Sequence, residues 1–326
     1  MSTLHEQATV VDGLQINNWD RPVLQELLAG GVSGVNATCA VYHGPMETLR
    51  EIADWYQLAA SNSDLAFLAN DAADIRRAKT EGRVAVLMGL QNTSSFGDDF
   101  RMVEVFHKLG VRIAQLTYNI QNLVGGSCYE PSDSGLTRFG ANVIDEMNRV
   151  GMLVDLSHVG NRTSLDAVEA SAMPIAITHS NPTWFVDNPR NKPDEVIRAV
   201  TDRGGMIGAC LYPIVLGGEK ASLEQFCTMV ARLVDEHGPG RVGLGSDCTR
   251  NWGQDYVGYL RNGRWQPPTH PAPEWPAWPH WFAGPEDFPQ LTEGLQQVGL
   301  DESAIRGVLG ENWLDLFDKV FAGTES

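Results

Sequence analysis

Short, continuous apolar runs alternate with amphipathic stretches along nearly the whole chain. The runs Ala8–Ile16, Gly31–Ala40, Arg83–Gln91, Val111–Tyr118, Leu153–His158, Pro174–Ser180, Gly205–Tyr212 and Arg241–Asp247 are rich in Val, Ile, Leu and Ala. They show little alternation, the pattern of parallel strands buried on both faces. Between them the period changes. Pro45–Ala60 opens with Pro and spaces Met46, Leu49, Ile52, Ala53 and Tyr56 at helical intervals. Asp71–Glu81, Asp99–Leu109, Thr137–Val150, Arg162–Ala170, Asp194–Arg203 and Leu223–His237 behave alike. Gly82, Gly110, Gly151 and Gly204 stand where a helix hands over to the next strand, a helix-ending position. Eight strands, each followed by a helix or long loop, predict an α/β fold of the closed (β/α)8 TIM-barrel type. A doubly wound open sheet is the alternative, but no GxGxxG turn follows the first strand, and Gly125-Gly126 precedes no Lys-Ser/Thr.

The rhythm supports one barrel domain over 1–326 and breaks once, at 251–289, where Trp252, Trp265, Trp275, Trp278 and Trp281 stand among many prolines. That segment is expected to be an ordered loop, either packed on the barrel or a second subunit, or lying as a lid over the site. Residues 290–326 are expected to close the chain with helices at Leu291–Val298 and Ser303–Phe321.

Composition narrows the partners. With 41 Asp and Glu against 24 Lys and Arg, the net charge is −17, which disfavours nucleic acid and anionic lipid surfaces. No apolar run reaches the roughly 18 residues of a membrane span, and the first ten residues lack a signal pattern. The five cysteines, Cys39, Cys128, Cys210, Cys227 and Cys248, are scattered without a CxxC pair. They read as reduced thiols, and the expected location is cytoplasmic.

In a barrel of this kind chemistry gathers at the C-terminal ends of the strands. The predicted ends carry Leu14-Gln15-Ile16, Cys39, Gln91, Tyr118, His158, His179, Tyr212 and Asp247. Two histidines and one aspartate at one mouth suit a divalent metal such as zinc, with Asp247 as proton acceptor. A hydrogen-bonded core histidine is the bland alternative for His158 and His179, and a loop cap for Asp247. Cys39 and Cys248 read as buried inert thiols. Tyr118 reads as packing or a substrate contact.

At these residues the chain resembles the membrane (renal) dipeptidase family of metallopeptidases, in the amidohydrolase superfamily. The resemblance rests on Gly135–Glu146, Asn148–Val159, Thr178–Asn181, Pro189–Asn191 and Gly310–Phe317 and covers nearly the whole chain. It implies a barrel with a dinuclear zinc site that cleaves dipeptides, and a homodimer. His158 and His179 match the histidines of the second zinc. Arg190 matches the arginine that binds the substrate carboxylate, a task suited to a guanidinium fork; a salt bridge to Asp194-Glu195 is its structural alternative. Asp247 matches the strand-8 aspartate.

Four positions depart from the family pattern together. The two ligands of the first zinc fall on Leu14 and Ile16, the bridging glutamate on Gln91, and a substrate-contacting histidine on Tyr118. Leu and Ile cannot bind a metal, and a Gln carbonyl is a weak ligand beside a carboxylate. The first metal site is therefore expected to be lost. Three functions remain open. One is a hydrolase of a dipeptide or small amide, with at most one zinc on His158 and His179, helped weakly by Gln91. Another is a metal-free acid/base enzyme acting on a small acid. The third is a catalytically degenerate binder of small carboxylates through Arg190.

Overall fold

The structure is a computed structural model that describes residues 2–264 and 273–324; Trp265 lies outside the described residues. The strands are β1 Val10–Gln15, β2 Val32–Ala40, β3 Ala66–Leu68, β4 Val84–Leu90, β5 Val111–Gln115, β6 Leu153–Asp155, β7 Ala176–Ile177, β8 Met206–Cys210 and β9 Val242–Gly245. All pairings between them are parallel. The order runs β2-β1-β9-β8-β7-β6-β5-β4, and a β2–β4 pairing closes the ring, so eight strands form the barrel. The short β3, which the sequence pattern did not suggest, pairs with the first half of β4 outside that ring. Helices follow in between, among them Pro45–Ser61, Arg138–Val150 and Leu223–His237. Gly82, Gly110, Gly151 and Gly204 all take positive φ, as helix-to-strand transitions of this type require.

Two apolar layers hold the barrel. Between strands and outer helices lies the large core of Val, Ile, Leu and Phe. Inside, a smaller cluster including Val11, Leu87, Ile113 and Met206 surrounds Trp313. Trp313 comes from the helix Asn312–Val320, and its indole N–H donates to the Leu244 carbonyl at 3.0 Å. Glycine makes room for the ring: a Cβ on Gly13 or Gly243 would stand within 2.6 Å of it. The C-terminal helix is thus a plug in the barrel. Trp313→Ala should cost about 3–5 kcal/mol, read as a lower urea midpoint, because the glycines around the ring cannot fill the void. An unchanged midpoint would show that the ring carries none of this packing.

Most strands stop earlier than the apolar runs. Tyr118 and His158 each lie three residues beyond their strand, and His179, Tyr212 and Asp247 two residues beyond theirs. Buried carboxylates replace the ladder there. Asp155 Oδ1 accepts from the Ser157 and Thr178 amides, and Asp12 Oδ1 accepts from those of Leu14 and Ser246. The tryptophan-rich segment also departs from expectation. It contains a helix, Gln254–Asn262, while Trp281 is buried and donates to the Ala221 carbonyl. Among the described residues no helix is long and apolar enough to cross a membrane.

Candidate active site

The barrel mouth encloses a cavity of about 410 Å³ whose lining includes Ile16, Tyr118, His158, Arg190, Tyr212 and Asp247. Val257, Leu260 and Arg261 line it too, so the helix 254–262 covers this end of the barrel. His179 is fully buried behind His158. Of the predicted site residues, the cavity gathers Tyr118, His158, Arg190 and Asp247, with His179 in contact; Gln91 is not in its lining.

The two imidazoles face each other, with His158 Nε2 and His179 Nε2 3.2 Å apart. Their other nitrogens fix the tautomers. Asn119 donates its amide N–H to the Leu260 carbonyl at 2.9 Å, which leaves its oxygen toward His158 Nδ1 at 2.7 Å. His158 Nδ1 must therefore carry the proton. On the other side, Thr178 Oγ1 donates to Asp155 Oδ2 at 2.7 Å and accepts from His179 Nδ1 at 2.8 Å. Both Nε2 lone pairs then point at one place. Burial, reinforced by the Arg190 charge, holds both histidines well below their usual pKa, so both are neutral near pH 7.

Two bare lone pairs at that separation repel unless a cation lies between them. His158 and His179 would hold one divalent ion such as zinc through these two neutral imidazole nitrogens. The pair therefore fits one divalent ion. The surroundings do not fit two. Ile16 packs in an apolar cluster with Val41, Tyr42, Tyr118 and Leu260, and Leu14 is buried. Gln91 spends its N–H on Thr38 Oγ1 at 2.8 Å, leaving its buried oxygen without a partner. Among the described residues no group of three or more His, Cys, Asp and Glu stands together at metal-binding distance. Cys39 and Cys248 are buried with thiol pKa values pushed up by burial, as inert thiols should be.

Asp247 sits beyond β9 with φ 56°, a left-handed conformation that Asp tolerates at small cost. Its amide donates to the Leu14 carbonyl at 2.9 Å. Burial pushes its carboxyl up to about 7; Arg190 pulls down, and the buried charges of Asp12 and Asp155 push up. A carboxyl poised there can take a proton near neutrality. Arg190 is 4% exposed, and its guanidinium donates to the carbonyls of Ser157 and His179. It makes no ion pair with Asp194 or Glu195, because the loop turns the side chain inward to the barrel mouth. Among the described residues the guanidinium's hydrogen bonds go to carbonyls and no carboxylate forms an ion pair with it, which leaves it able to receive an anion. The Tyr118 ring stacks on His158 at 4.1 Å between centroids and fixes the imidazole plane.

The sequence pattern missed Asp12, Asp155 and Asn119, which position the rest. Asp155 joins the ends of β6 and β7, and with them the two histidines. Asp12 binds Ser246, next to Asp247. For the two aspartates a signal was available: each is a charge within an otherwise apolar run. Lys192 was missed as well; it is wholly buried, donates to the Val159 carbonyl, and burial pushes it down to about 8.

A closed parallel barrel with imidazoles and a carboxylate at its mouth defines a protein of the amidohydrolase-barrel class. More narrowly, the chain belongs to the membrane dipeptidase family (peptidase family M19), whose model matches residues 19–253. An amidohydrolase from Pseudomonas aeruginosa is 35% identical, with a TM-score of 0.92 and 98% of both chains covered. Dipeptidase tcpJ from Claviceps purpurea is 33% identical over 213 residues, covering 64% of this chain and 50% of that protein. The chain thus spans about half the length of that curated relative. A Rhodobacter sphaeroides metallopeptidase, solved with a phosphinate mimic of the dipeptide L-Ala-D-Ala, shares the fold at 20% identity and a TM-score of 0.80, with 96% of this chain and 99% of that one covered.

Proposed function

We propose that the protein hydrolyses a small amide carrying a free carboxylate, a dipeptide or a close analogue, at a site holding no more than one zinc ion. The observation that carries this reading is the pair of deprotonated Nε2 atoms 3.2 Å apart, in contact with a cavity that also holds Arg190 and Asp247. His158 and His179 would hold the ion, with Gln91 at most a weak helper. When bound, the ion supplies a water of lowered pKa and polarises the amide carbonyl.

The chain's own residues supply the rest. Arg190 binds the substrate carboxylate and sets the amide's orientation, while its backbone anchors on both histidine loops keep the guanidinium still. Asp247 accepts a proton from the attacking water and returns it to the leaving amine. Tyr118 holds the His158 plane and offers its hydroxyl to the substrate. The helix 254–262 keeps the cavity dry on its outer side. Five unpaired cysteines support a cytoplasmic setting, and the family resemblance supports a homodimer.

Elemental analysis of protein purified without chelator, beside a His158→Ala/His179→Ala variant, tests the reading together with a dipeptide panel at graded zinc. About one zinc per chain, absent from the variant, and hydrolysis that saturates with zinc are expected. No metal and no turnover at any zinc concentration would overturn it in favour of a carboxylate binder. Turnover indifferent to chelator would overturn it in favour of metal-free acid/base chemistry.

A further inference from the structure

Ile16 is shared by two cavities. The second, about 640 Å³, opens beside the barrel mouth, and its wall is built from Trp19, Trp55, Trp252 and Tyr256 together with Glu51 and Asp54. The Trp19 and Trp55 rings meet at 58° with centroids 5.2 Å apart, forming a corner. Trp252 stacks on Tyr256 at 3.5 Å and is anchored by its N–H to the Ile16 carbonyl at 2.8 Å. The carboxylates face this aromatic wall without a counter-charge. No Lys or Arg is in the described lining, and neither Glu51 nor Asp54 pairs with one. The nearest basic group is His43, whose Nε2 stands 3.7 Å from Glu51 Oε1, and burial keeps that imidazole neutral near pH 7. Burial and, after it, the Asp54 charge push the Glu51 carboxyl up.

We propose that this outer cavity binds an organic cation, an alkylated ammonium group, against the tryptophan corner with Glu51 and Asp54 as its counter-charges. Aromatic faces attract a cation through their quadrupole, most strongly with Trp. The aromatic wall itself gives a strongly hydrated metal ion no oxygen ligands, so it favours a weakly hydrated organic cation. An anion meets two carboxylates there and is repelled. The site owes nothing to the hydrolytic reading, so chelator-treated protein should bind equally well.

Tetramethylammonium and its neutral counterpart of similar shape, tert-butanol, are the probes, titrated while the methyl resonance of each is followed by NMR. Saturable binding of tetramethylammonium and none of tert-butanol is expected. A Glu51→Gln/Asp54→Asn variant should weaken the binding at least about tenfold, and Trp252→Leu should also weaken it. Diffuse attraction to a chain of net charge −17 would hardly respond to the loss of two charges, so an unchanged affinity in the variant overturns the proposal. Equal binding of both probes, or no saturable binding of tetramethylammonium, overturns it on the unmodified protein, without reliance on any variant folding.

Discussion

Asp247→Asn is expected to make the folded chain more stable at alkaline pH while removing hydrolysis. The carboxyl is pushed up to about 7 in the fold, mainly by burial, against about 3.9 for an unperturbed Asp in an unfolded chain. Between those values the folded chain holds a proton that the unfolded chain has released. Stability at this site is therefore full below about pH 4 and falls as pH rises to about 7. Above that, the wild type bears the whole cost of an ionised carboxylate in a recessed site. Asn does not titrate. In chelator-treated protein the variant should match or trail the wild type at pH 4 and exceed it by about 2–4 kcal/mol at pH 8, read from urea midpoints. A gap that does not change with pH would refute this. Bound zinc would pull the carboxyl down and move the fall to lower pH, which is why the chelator matters. The same substitution removes the proposed proton acceptor, so turnover should drop by about 10²–10⁴. Stability gained where activity is lost would mark Asp247 as a group held in place for chemistry.

Much of this was legible in the chain because barrel strands buried on both faces leave continuous apolar runs, and helix ends leave glycine. Residues 153–158 and 205–212 could hardly be anything else. The errors follow from what such runs cannot show. They ran two or three residues past most strand ends, since His158 and Asp247 stand in apolar company whether or not the ladder continues. The change from backbone pairing to pairing with Asp155 and Asp12 is a matter of side-chain geometry. The helix 254–262 was hidden by the prolines and tryptophans around it, and β3 by its three-residue length. The facing Nε2 atoms lie beyond the ends of two neighbouring strands, β6 and β7, and the sequence does not show how the two side chains turn toward each other. Asn119 was out of reach for the same reason, because its orientation is set by Leu260, 141 residues away.

Restoring the first metal site should change the protein most. In a Leu14→His/Ile16→Asp/Gln91→Glu variant, the two ligands and the bridging carboxylate that the family resemblance implies would stand at positions now held by apolar or neutral groups. Leu14 stands in the irregular stretch of β1 between Asp12 and Gln15, and Ile16 directly follows the strand. Ile16 sits among Val41, Tyr42, Tyr118 and Leu260, a largely apolar wall that solvates a carboxylate poorly. Gln91 already places a buried, unpartnered oxygen at the end of β4. Without metal, the variant should be less stable by several kcal/mol, since an unpaired carboxylate and an imidazole replace packed Ile and Leu. With zinc at about a thousand times its dissociation constant, some 4 kcal/mol should return. The melting temperature of the variant should therefore rise steeply with zinc, far more than that of the wild type. Metal content should go from at most one zinc per chain to two, and dipeptide hydrolysis should increase alongside. Two zinc ions in the unmodified protein, or no gain in the variant, would mean that the apolar residues on β1 are not what limits the site to one ion.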